Sequence, residues 1–135
     1  MLEQTVITTE GQGNVLTPFL ETARTIAVLD HRSAEAPRLR NDAKKLIELL
    51  LAAPAIALGD LPELEQARLE LVESSFESVM AWIESANSVT SVHEASGYFK
   101  SARTALKRAQ RQVVNFIDHQ KAHQKRQQRW AKRRG

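Results

Sequence analysis

Eight cations in the last third of this 135-residue chain recur at the spacing of one helix face: Lys100, Arg103, Lys107, Arg111, Lys121, Lys125, Arg129 and Lys132. At about 100° per residue they fall into one stripe, flanked by Arg108, Arg126 and Arg133. A row of fixed cations neutralises a polyanion and releases its counterions, which is the chemistry of phosphate-backbone binding. Trp130, with Arg129, Arg133 and the amides of Gln124, Gln127 and Gln128, adds capacity for stacking and hydrogen bonding. The same stripe also suits an acidic protein surface, and a solvated face is the plainest use of charges on a long helix.

Other chemistry finds little support in the residue pattern. His119 and His123 share a helix face at i, i+4, a spacing that can hold a metal. The residues between them are Gln120, Lys121 and Ala122, without the glutamate of a metalloprotease helix, and the surrounding cations repel a divalent ion. His31 falls at a helix break and His93 in a first helical turn, both structural or exposed positions. Gly11-Gln12-Gly13 is followed by no Gly-Lys-Ser/Thr, so it makes no phosphate loop. The carboxylates occur at helix-surface spacings with no confined pair for acid–base work. Ser74 and Ser75 have no nucleophile-elbow context. There is no cysteine, which excludes disulfides and thiolate catalysis and is compatible with a reducing compartment. No catalytic residue, metal or cofactor is expected, and the chain reads as a non-enzyme.

The charge is strongly segregated. Residues 1–99 carry 7 Lys/Arg against 15 Asp/Glu, a net of −8, whereas residues 100–135 carry 12 against Asp118 alone, a net of +11. The formal total of +3 therefore hides an acidic body with a basic end. Apolar residues make up 42% of the chain and aromatics 5%, so a core of Leu, Val, Ile and Ala is expected. The N-terminal Met1-Leu2-Glu3-Gln4-Thr5-Val6 lacks the basic start and apolar stretch of a signal peptide. The longest apolar candidate, Leu46 to Leu58, is interrupted by Glu48 and Pro54 and falls short of the roughly 20 residues that span a bilayer. The overhanging basic end also has no Leu or Phe face to insert beside its cations. A soluble, cytoplasmic protein without membrane binding is the expectation.

The elements that must position the cations are helices. The few glycines and prolines fall at element ends, which favours an all-α fold over a turn-rich β fold. A polar arm is expected over residues 1–16. Thr17 then reads as the N-cap of a first helix, with Pro18 at its first helical position, running to about Asp30. His31 to Ala36 is a break, and Pro37 opens or lies just inside a second helix. Leu39, Ala43, Leu46, Ile47 and Leu50 recur there at three and four until Pro54 stops the run. The connector from Pro54 to Gly59 is apolar enough to pack down. Asp60-Leu61-Pro62-Glu63 reads as a capping box opening a third helix to about Ala86, and Ser91-Val92-His93-Glu94 as another opening a fourth.

Leu69, Val72, Phe76, Val79, Ile83 and Ala86 follow three-four spacing, as do Val92, Ala95, Phe99, Ala102, Leu106, Ala109, Val113 and Phe116. The short link Asn87 to Thr90 turns these two helices into an antiparallel hairpin. Folding it about its midpoint sets Ile83 near Ala95, Val79 near Phe99, Phe76 near Ala102 and Leu69 near Ala109, large against small. The third helix is then used up by about Ile117, so residues 118–135 overhang. The expectation is an all-α, four-helix bundle-like domain over residues 17–117, with a long antiparallel C-terminal helical hairpin and a basic C-terminal helical extension over 118–135. The function expected of it is binding of RNA or DNA through phosphates without sequence preference, as a small helical subunit or accessory factor of a nucleoprotein complex. Its partners would include protein subunits of that complex. The alternative is an adaptor or inhibitor that grips an acidic protein through the basic helix. The hairpin seam, shared between chains, would make a homo-oligomer.

Overall fold

A computed structural model describes residues 13–134, and the architecture is all-helical with no strand among the described residues. Among the described residues four helices follow one another: α1 over Thr17–Ala27, α2 over Glu35–Ala52, α3 over Glu63–Ser88 and α4 over Val92–Arg134, with a 3-10 turn at Leu58–Asp60 before α3. α4 packs most extensively on α3 and next on α2; α2 packs on α1, while α1 meets α3 only lightly. Trp82 stacks on Tyr98 with centroids 5.9 Å apart, and the Ser75 hydroxyl donates to Gln112 Oε1 at 2.7 Å. Earlier residues of α3 thus meet later residues of α4, and the two helices run in opposite directions.

The apolar periodicity carries through to burial. Leu69, Val72, Phe76, Val79, Ile83 and Ala86 are buried on α3, and Ala95, Phe99, Ala102, Leu106, Ala109, Val113 and Phe116 on α4. Val92 is the exception at 37% exposure: it opens its helix and lies at the edge of the contact. Leu39, Ala43, Leu46 and Leu50 of α2 and Phe19, Ala23 and Ile26 of α1 complete one continuous core. Phe19 stacks flat on Phe76, centroids 5.2 Å apart, the main bridge from α1 to α3. Each large side chain buried this way contributes about 1.5–3 kcal/mol.

The helix starts differ from the sequence expectation. The N-cap of α1 is Leu16, not Thr17, so Pro18 falls at the second helical position and not the first. No side chain caps this helix; Asn14 Oδ1 accepts from the Leu16 amide at 3.1 Å and from the Ile56 amide at 3.4 Å, tying the approach to α1 to the connector after α2. The Val15 amide donates to the Ile56 carbonyl at 2.8 Å, so the connector after α2 does pack down, with Ile56 buried. The arm expected over residues 1–16 lies outside the described residues as far as residue 12. Leu16, at its far end, is part of the core.

The capping box expected at Asp60 and Glu63 does not form. Pro62 is the N-cap of α3 and no side chain caps it. The residue before a proline is driven to extended backbone, and Leu61 adopts φ −95° and ψ 129°. Asp60 is drawn instead into the 3-10 turn, its amide donating to Ala57 O at 3.1 Å. At α4 one half of the expected box is present: the Glu94 amide donates to Ser91 Oγ at 3.3 Å.

Candidate nucleic-acid interface

α4 is a single helix of 43 residues, about 64 Å long at 1.5 Å per residue. No proline interrupts it, and Gln, Lys, Arg and Ala, all strong helix formers, dominate its second half. The cations of its last turns also oppose the negative end of the helix dipole. Burial ends at Ile117 and Gln120, so the covered part of α4 reaches slightly beyond Asp118. From Lys121 to Arg133 every residue is exposed except the half-buried His123.

Two groups of cations result. Lys100, Lys107, Arg108 and Arg111 are exposed on the part of α4 that covers the bundle. Lys121, Lys125, Arg126, Arg129, Lys132 and Arg133 lie on the exposed terminal run with Trp130, which is 62% exposed. None of these ten cations forms a salt bridge with another described residue. His123, Arg126, Gln127 and Trp130 border one shallow recess, so the indole and a guanidinium share a face.

Arg103 is placed otherwise. Its Nε donates to Asp42 Oδ2 at 2.9 Å and its Nη1 to Glu35 Oε1 at 3.3 Å, both on α2. Glu35 also takes Arg38 Nη1 on its other oxygen at 3.1 Å. The hydrogen bond to Asp42 raises the Arg103 pKa above its ordinary value; burial opposes the rise, and the charges of Asp42 and Glu35 add to it. Arg103 clamps α2 to α4 and is engaged by the protein itself, unlike the rest of the stripe.

No protein-family model, curated protein or solved structure matches this chain.

Packing also brings in a residue that spacing along α4 could not reveal. Lys45 of α2 shares a groove of about 470 Å³ with Lys107 and Arg111, extending the positive surface onto a second helix. Its sequence distance from α4 conceals it. The histidines are not gathered: His119 and His93 are exposed, and no group of three or more metal-binding side chains occurs among the described residues. His31 is structural, its ring edge-on to Phe99 at 4.8 Å and its Nδ1 accepting from the Ser33 amide at 3.0 Å. Among the described residues, no helix is long and apolar enough to cross a membrane.

Proposed function

We propose that the chain is a non-enzymatic nucleic-acid-binding subunit or accessory factor, in which a four-helix bundle-like body holds out the basic end of its C-terminal helical hairpin. The observation that supports this most is the run from Lys121 to Arg133: six exposed cations, none in a salt bridge with another described residue, on one unbroken helix with an exposed indole among them. A polyanion gains from such a row because each phosphate neutralised releases counterions. Trp130 offers a face on which any base stacks, without reading which base it is. Lys45, Lys107 and Arg111 extend the track over the bundle. No element matches a groove-reading DNA motif, so the reading is phosphate-mediated binding of RNA or DNA.

The test is fluorescence anisotropy with labelled single- and double-stranded oligonucleotides across a salt series. The wild-type chain should bind with log K falling linearly with log salt. A full-length variant carrying Lys121→Gln, Lys125→Gln, Arg129→Gln and Lys132→Gln should lose affinity at low salt and show a slope shallower by roughly 0.7–0.9 per contact removed. Absence of binding to either polymer at low salt, or a variant indistinguishable from wild type, rejects the reading.

A further inference from the structure

Opposite in charge to the helix end, a groove of about 1120 Å³ lies between α1 and α3. It exists because α1 meets α3 mainly through the Phe19–Phe76 stack, which leaves the flank of α3 uncovered. Phe19, Phe76 and Met80 give it an apolar floor. Glu70, Glu73, Glu77 and Glu84 give it an acidic rim, all four exposed and none in a salt bridge with another described residue.

We propose that this groove receives the basic end of α4 from a second copy of the chain. Four observations support that occupant. First, the rim carries four carboxylates, and the terminal run Lys121–Arg133 carries six cations and no carboxylate. Second, the spacings agree. Glu70, Glu73 and Glu77 repeat at three and four, as do Arg126, Arg129 and Arg133, so two helices lying side by side bring the rows into register. Trp130 lies between those arginines and supplies the apolar anchor for the floor, the usual arrangement when an amphipathic helix enters a groove.

Third, the lengths fit. The exposed run is about 20 Å long and the stretch of α3 from Gln66 to Glu84 that borders the groove about 27 Å. The groove also exceeds the roughly 300–1,000 Å³ of small-molecule pockets. Fourth, the chain's own helix end is an unsuitable occupant. α4 is continuous to Arg134, and the groove lies beside residues of α3 whose neighbours on α4 include Tyr98 and Gln112. Turning back would break the helix, so a second copy must supply it. Exchange of two such ends between two copies closes a symmetric dimer. The proposal does not rest on the nucleic-acid reading; because both use the same cations, a polyanion and the groove would compete for the helix end.

Sedimentation of the full chain at low and high salt tests the proposal, with folding of each variant checked by circular dichroism. Association is expected at low salt and should weaken as salt screens the rim. Replacing Glu70, Glu73, Glu77 and Glu84 by Gln should weaken it by roughly tenfold or more. A variant with Arg126→Gln, Arg129→Gln, Trp130→Ala and Arg133→Gln should do the same, and mixing the two variants should restore one contact. Because the chain has no cysteine, a mixture of Glu73→Cys and Arg129→Cys chains should form an intermolecular disulfide faster than one of Asn41→Cys and Arg129→Cys. A chain that stays monomeric at low salt, or whose association ignores the glutamates, overturns the proposal.

Discussion

Arg103 of α4 donates through Nε to Asp42 of α2 at 2.9 Å, while its Nη1 reaches Glu35 about two helical turns earlier on the same helix. One guanidinium thereby joins two carboxylates and two helices, and Glu35 itself is almost fully buried. Removing the cation leaves Asp42 without this ion pair and Glu35 with Arg38 alone, the costly way to break a partly buried network. Partial exposure of Arg103 screens the loss. Arg103→Met is therefore expected to destabilise the fold by about 1–3 kcal/mol in urea unfolding. It should leave the salt slope of any nucleic-acid binding unchanged, in contrast to substitutions at Lys121 or Lys125.

Ser33 is a second tie across the same interface. Its hydroxyl lies 2.7 Å from that of Ser96, and Ser96 already donates to the Val92 carbonyl at 2.9 Å, which leaves Ser33 as the donor of the pair. Ser33 Oγ in turn accepts from the Glu35 amide at 3.1 Å, capping α2 from two residues upstream. Ser33→Ala should cost about 1–2 kcal/mol, and a double-mutant cycle with Ser96→Ala should show coupling of at least roughly 0.5 kcal/mol.

The two capping sequences make opposite predictions. Ser91 accepts the Glu94 amide, so Ser91→Ala should lower stability by about 0.5–1 kcal/mol. Asp60 caps nothing on α3, so Asp60→Ala should change it by less than about 0.5 kcal/mol. Equal losses in chemical denaturation would contradict the assignment of Pro62 as N-cap.

Gly97 lies inside α4, and a Cβ placed there meets nothing within 4 Å. Its backbone does not have positive φ. Gly97→Ala should accordingly raise stability by about 0.5–1 kcal/mol through the lower entropy of the unfolded chain, read as a higher melting temperature.

Gln127 lies beyond the last buried residue of α4. Gln127→Pro should break the helix there, lowering ellipticity at 222 nm while leaving the unfolding midpoint of the body within error. Nucleic-acid affinity should fall, because Arg129, Lys132 and Arg133 would no longer continue the line of Lys121 and Lys125.

The sequence by itself determined the helices and most of what they bury. Three-four spacing from Leu69 to Ala86 and from Val92 to Phe116 is a local, repeated signal, and every apolar residue of the two seams except Val92 is buried. The segregation of twelve cations into residues 100–135 was equally legible, since charge is a property of composition. Tertiary structure alone decided which charges face solvent. Arg103 sits in the same stripe as Lys100 and Lys107, yet α2 places Asp42 and Glu35 beside it, 61 and 68 residues away in the chain. Lys45 joins the positive surface, and four glutamates of α3 come to border an apolar groove, for the same reason. Helical periodicity fixes the face a residue occupies on its own helix; only the packing of one helix on another fixes what that face meets.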